Sequence, residues 1–250
     1  MANVVEEQSY QRKSALTAGI SLIIMTLAAF FSYGLVLGRL VVQGDPSATF
    51  NNLMSSNTLV HAGILGWLIV LICDIVVAWS FYIFLKPFNK NLSLLAAWLR
   101  LAYASILGIA ILNLIFVLIP TNSMDYFSLI KMNQLQAYVE LLLEAFNMIW
   151  SMGLIIFGGH LMIVGYLAFK SDIIPKVVSI LLLMASISYI IIHLCYTFLP
   201  HYDGITTMLE SILSVPMSLG ELGFGIWLLF KGGKVPKSVG QLPKLLCFAS

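Results

Sequence analysis

Six stretches of predominantly apolar residues, each near or above the ~20 needed to cross a bilayer and separated by short polar connections, leave this chain almost no choice of fold. In hydrocarbon every backbone N–H and C=O must find its partner inside the protein, so a spanning segment is a helix or part of a closed barrel. Runs this long and uninterrupted select the helix. They cover about 15–38, 59–85, 92–119, 145–169, 177–199 and 211–230. The expectation is an all-α polytopic membrane protein, one membrane-embedded bundle of six transmembrane helices over 1–250 with a short cytoplasmic tail at 232–250.

Composition agrees, with 60% hydrophobic and 10% charged residues against ~25% charged in a soluble domain. The first run is uncharged from Ser14 to Gly38, longer than a signal-peptide core, and no A-x-A-like site closes it. It is therefore read as a first membrane helix. The net charge of +2 is too small for a nucleic-acid surface.

Lysine and arginine alternate between the connections. Arg12 and Lys13, Lys86 and Lys90, Lys170 and Lys176, and Lys231, Lys234, Lys237 and Lys244 fall on one side, and the other side has only Arg39 and Lys131. By the positive-inside rule both termini are expected in the cytoplasm, the bilayer being a bacterial inner membrane. The even-numbered spans end alike, Phe169-Lys170 through Pro175-Lys176 and Phe230-Lys231 through Pro236-Lys237 both reading F-K-x-x-x-x-P-K. An internal repeat of hairpins would do this, and so would the lysine, proline and glycine that short cytoplasmic loops collect.

The first outer connection places Asp45 and Pro46 where a cap and a first-turn proline belong, so a short helix on the outer surface is expected. The second, Thr121 to Glu144, carries Phe127, Ile130, Leu135 and Tyr138 among polar residues and reads as an interfacial helix running into the fourth span.

Four ionisable residues interrupt the spans. Asp74 stands 12 residues from Lys86, and Arg100, His160 and Glu221 each 10 from Lys90, Lys170 and Lys231. At ~1.5 Å per residue all four lie roughly 15–18 Å deep, near the middle of a ~30 Å core. Such residues face the bundle interior, pair with one another, and often mark a pathway. Asp74 and Arg100 sit on adjacent helices of a tight hairpin and are expected to pair; Arg100 could also be shared with Glu221. A proton-accepting Glu221 or Asp74 beside His160 would make a relay. Gly158 and Gly159 precede His160, and Pro216 and Gly220 precede Glu221, which points to close approach or irregular geometry at that depth.

A second group lies towards the outer face: His61, Glu140, Glu144, His193, His201, Asp203 and Glu210. His61, Glu144 and His193 are the set to test for a metal site, although no two of these histidines have i, i+4 spacing. The cysteines Cys73, Cys195 and Cys247 are odd in number and scattered, unlike a disulfide framework. P-loop, H-E-x-x-H and G-x-S-x-G motifs are missing, so no cofactor is expected and an enzyme is the less favoured class.

Several segments together carry a family likeness: Gly38-Arg39-Leu40-Val41-Val42-Gln43-Gly44-Asp45 with Thr49 and Asn52, Leu94-Leu95-Ala96-Ala97-Trp98-Leu99-Arg100-Leu101, Phe157-Gly158-Gly159-His160 through Gly165-Tyr166-Leu167, and Gly220-Glu221-Leu222 before Trp227-Leu228-Leu229. From about Arg12 to Lys231 the chain resembles a bacterial family of multi-pass membrane proteins known as domain of unknown function 4386. Gln43 stands where that pattern commonly has proline. The resemblance implies a multi-pass helical fold and brings no established activity.

Three readings follow. A small carrier or channel-like protein would use the mid-membrane layer for a proton, ion or small polar solute. A membrane-embedded enzyme, metal-dependent and lipid-directed, would need ligands such as His61, His193 and Glu144 to converge. In a non-catalytic assembly partner, the buried pair would provide only stability. The first is favoured, with the lipid bilayer and a small solute or ion as partners and no nucleic acid.

Overall fold

The computed structural model describes residues 2–122, 130–199 and 203–233, and what it describes is helical. Helix α1 is Ala2–Ala29, continued by a π-helical segment Phe30–Leu37 and a last turn α2, Gly38–Leu40. After α3, Pro46–Ser55, come α4, Asn57–Leu85, α5, Lys90–Asn122, α6, Met132–Lys170, α7, Lys176–Phe198, and α8, Asp203–Phe230. Six helical spans are long and apolar enough to cross a membrane, the first running Ser9–Leu40 through the π-helical segment. The protein is a multi-pass membrane protein. The least apolar span, Met208–Phe230 at a mean hydropathy of 1.6, carries both Glu210 and Glu221.

Each span packs on its neighbours in the chain, α1 on α4, α4 on α5, α5 on α6, α6 on α7 and α7 on α8, and α8 returns to α1. The result is a closed ring of six helices. Apolar side chains such as Leu27, Leu65, Trp98 and Phe230 point outward, where the bilayer replaces water as their solvent. Arg12 secures the closure by donating to the carbonyls of Leu228 (3.1 Å), Leu229 (2.7 Å) and Gly232 (2.7 Å). These carbonyls lie at and just past the C-terminus of α8, where helix carbonyls run out of N–H partners and a cation opposes the helix dipole. Pro236 and Lys237, which complete the second F-K-x-x-x-x-P-K segment, lie outside the described residues, as do His201 and the tail lysines.

Two connections depart from the sequence expectation in detail. Asp45 Oδ1 accepts from the Ala48 N–H at 2.9 Å with Pro46 in the first turn, so α3 begins where expected. However, Thr49, Phe50 and Leu53 are buried and α3 packs on α4, α5 and α6, so it is built into one end of the bundle and does not simply lie on its surface. At the second connection, residues from Met132 onward already belong to the helix that crosses the membrane, and Leu135 and Val139 are buried in it. Phe127 lies outside the described residues.

Candidate functional site

Arg100 is the centre of the interior. Its α5 position turns it into the ring, where only 1% of its surface is exposed. Nη2 lies 2.7 Å from Asp74 Oδ1 on α4 and 3.6 Å from Met25 Sδ on α1, and Nη1 contacts His160 Nε2 on α6 at 3.1 Å. The guanidinium also faces the rings of Phe157 (5.1 Å) and Phe81 (5.7 Å). Four helices thus converge on one cation. A buried charge needs such company, because its desolvation in a low-dielectric interior costs several kcal/mol.

His160 is fully buried and its tautomer follows from its neighbours. Nδ1 is 2.8 Å from the Ala96 carbonyl, which can only accept, so Nδ1 carries the proton. Nε2 then accepts from Arg100, which can only donate. The ring is held between Phe81 (centroids 5.8 Å apart) and Phe157 (5.7 Å).

Glu221 stands apart from this cluster. Its Oε1 accepts from the Tyr189 hydroxyl of α7 at 2.6 Å, and no cation lies within ion-pair distance among the described residues. Of the four residues at this depth, therefore, Asp74, Arg100 and His160 form one connected unit and Glu221 belongs to α7 and α8. Tyr189 carries no sequence signal beyond being a polar aromatic in an apolar span.

The glycines beside these residues serve close packing. A Cβ on Gly158 would stand 2.6 Å from Ile190 Cγ1 and 3.0 Å from the Ser186 carbonyl oxygen, and the Ser186 hydroxyl donates to the Gly158 carbonyl at 2.7 Å. A Cβ on Gly220 would stand 2.8 Å from the Leu181 carbonyl oxygen. Both positions bring α6 and α8 against α7. Gly159 is less crowded, with Leu99 at 3.7 Å from its would-be Cβ. Helix α8 continues through Pro216. The irregular turn is elsewhere, in the π-helical Phe30–Leu37, where the wider winding shifts the register of the side chains that follow.

That turn borders a cavity of about 640 Å³ to which all six spans contribute. It extends from Gln43 and Glu144, near the helix ends remote from the lysine-bearing loops, to Asp74 and Glu221 at its floor. Tyr33, Trp67, Tyr103, Trp150 and Tyr189 are among its walls. Trp150 Nε1 donates to the Tyr103 hydroxyl at 3.3 Å, and Ser151 Oγ shares a hydrogen bond of 2.8 Å with His193 Nδ1. Between the floor and the lysine-bearing loops the interior is filled by Phe81, Phe84, Phe224 and Trp227, all buried and ring against ring.

The proposed outer metal set does not assemble. Glu144 and His193 line the cavity, whereas His61 is exposed and its Nδ1 is 2.9 Å from the Asn57 carbonyl. Among the described residues no three His, Cys, Asp or Glu side chains converge as metal ligands. Helix rotation is the reason: Glu144 and His193 face the cavity from α6 and α7, whereas His61 is on an exposed face of α4 outside it.

Comparison with known proteins gives kinship without an activity. An uncharacterized protein of the archaeon Archaeoglobus fulgidus is 30% identical over 176 residues, covering 70% of this chain and 87% of the relative. No solved structure matches the fold. Residues 17–232 match the family described as Domain of unknown function (DUF4386), and with a match over that much of its length the chain belongs to that family.

Proposed function

We propose that this protein is a small membrane carrier that loads a polar solute or ion, with or without a proton, into the central cavity from the side remote from the lysine-bearing loops. Those loops face the cytoplasm in this reading, by their charge. The observation that carries it is the cavity itself, which is blind: it reaches the mid-membrane carboxylates Asp74 and Glu221 and ends against the buried aromatic layer of Phe81, Phe84, Phe224 and Trp227. A site at the midplane, accessible from one side and closed to the other, is the arrangement alternating access requires. The π-helical end of α1 is the element able to rewind, since such segments frequently mark functional positions in a helix.

Reconstitution tests it. Vesicles holding a pH-sensitive dye report proton flux, and their swelling in small polar solutes reports solute entry. The wild-type protein is expected above empty vesicles, and Glu221→Gln near background. Wild-type flux at the empty-vesicle level for protons and solutes alike would sink the reading.

One contact favours a membrane-embedded enzyme as a second reading, the Ser151–His193 pair at 2.8 Å inside the cavity. A serine hydroxyl beside an imidazole is the start of a nucleophile and base pair. A fluorophosphonate probe that labels the wild type and spares Ser151→Ala would support it; no labelling would remove it.

A further inference from the structure

The carrier reading leaves the cargo open, and the cavity walls narrow it. Among the described residues four carboxylates line the cavity, Asp74, Glu144, Glu210 and Glu221, and no lysine or arginine does. Arg100 opposes the charge of Asp74 from outside the cavity. Glu221 and Glu210 are met by the tyrosine hydroxyls of Tyr189 (2.6 Å) and Tyr196 (2.9 Å), which bond a carboxylate without neutralising it. An anionic cargo would face repulsion from three glutamates in a low-dielectric setting.

The other wall component is aromatic. Trp67 and Trp150 have centroids 4.9 Å apart at 73°, and Tyr33 stands 5.2 Å from Trp150 at 61°. Rings meeting at steep angles form a box that presents π-faces in more than one direction. Those faces are electronegative and attract a cation of low hydration, and they offer apolar area that a metal ion has no use for. No three-ligand metal set is present among the described residues.

Two buried polar atoms in this wall lack a partner. Asp74 is 0% exposed, and its Oδ2 accepts no hydrogen bond, while Oδ1 takes the Arg100 contact. Trp67 is 1% exposed and its Nε1 donates to nothing. Buried polar atoms are normally satisfied, so Asp74 Oδ2 at the floor has an acceptor position to spare, whereas the Trp67 indole also borders a second, small pocket that holds the unpartnered Ser32 hydroxyl. An ammonium suits Oδ2.

We propose that the cavity binds a monovalent organic cation, a protonated amine with an aromatic or similarly apolar body, its ammonium at the floor with Asp74 and Glu221 and its body against Trp150 and Tyr33, with Trp67 packed behind them. The volume of about 640 Å³ lies in the range of small-molecule sites. The assignment deepens the carrier reading and rests on the same cavity.

The test is equilibrium binding to the purified full chain in uncharged detergent, read by intrinsic tryptophan fluorescence and by calorimetry. Three probes sharing a phenyl ring on a three-carbon chain are compared: 3-phenylpropylamine, 3-phenylpropanol and 3-phenylpropionate. Saturable binding of the amine is expected, at least about tenfold tighter than the alcohol, with no saturable binding of the carboxylate. Glu221→Gln should weaken the amine about tenfold and leave the alcohol nearly unchanged, whereas Trp150→Leu, which removes a contact of the shared phenyl body, should weaken both. Equal affinity for amine and alcohol, binding of the carboxylate, or no saturation by the amine at millimolar concentration overturns the proposal, and these wild-type outcomes need no variant to fold. Glu221-dependent proton flux without amine binding would remove the organic cation and keep the carrier. Amine binding without any flux would do the reverse.

Discussion

Arg100 donates to Nε2 of His160 across 3.1 Å in the buried centre of the bundle, so the histidine acts as an acceptor and the arginine's company is not limited to its carboxylate. His160 in turn is tied through Nδ1 to the Ala96 carbonyl, one turn before Arg100 on the same helix. The two residues therefore lock α6 to α5 at the depth where the cavity ends.

Replacing His160 with Leu strands one guanidinium N–H in an apolar setting. Leaving such a donor unsatisfied costs about 2–3 kcal/mol. His160→Gln should recover most of this, because its amide oxygen can take the place of Nε2. Thermal unfolding in detergent checks the order wild type, Gln, Leu, and equal losses in both variants would contradict the acceptor role.

Asp74, Arg100 and His160 behave as one unit if the geometry governs stability. Asp74→Asn leaves the buried cation without its counter-charge, at a cost of about 3–5 kcal/mol. The double change Asp74→Leu with Arg100→Met should recover only part, because His160 Nε2 then lacks a donor. Adding His160→Phe extends the Phe81–Phe157 stack and should bring stability to within about 1 kcal/mol of wild type, as apolar replacement of buried ionic groups commonly does. Melting curves that rank the double above the triple variant would place His160 outside the unit.

Gly158 and Gly223 make a matched pair on the question of packing. A Cβ at Gly158 meets Ile190 at 2.6 Å, so Gly158→Ala must push α7 away, at about 2 kcal/mol. A Cβ at Gly223 meets nothing within 4 Å, so Gly223→Ala should be neutral or stabilise by about 0.5–1 kcal/mol through backbone entropy. Opposite signs in the melting temperatures are the expected readout.

Water in the cavity can be mapped chemically. In a chain lacking Cys73, Cys195 and Cys247, single cysteines at Asn147 and Ser218 should react with a membrane-impermeant maleimide added from the side remote from the lysine loops. Ser186, fully buried between α6 and α7, should not react as cysteine. Reaction at Leu65→Cys on the outer, lipid-facing surface as fast as at Asn147→Cys would mean the cavity holds no privileged water.

The positions of Asp74, Arg100, His160 and Glu221 along their helices were legible because rise per residue converts sequence distance into depth. The start of α3 was legible because Asp45 and Pro46 act locally. The pairing of Glu221 with Tyr189, the Arg12 cap on α8, the π-helical turn at Phe30–Leu37 and the outward placement of His61 were not. Each depends on helix rotation and on neighbours far away in the chain, and spans apolar all round carry little periodicity to report rotation.

By itself, then, the sequence determined that the chain has six helices able to cross a membrane and that four ionisable side chains interrupt them. Hydrocarbon restricts such segments to helix or closed barrel, and apolar runs of this length select the helix. Only the tertiary structure decided that Arg100 gathers Asp74 and His160 while Glu221 is left to Tyr189 at the floor of a cavity. That choice is made by how the closed ring rotates each helix, with Gly158 and Gly220 drawing α6 and α8 onto α7.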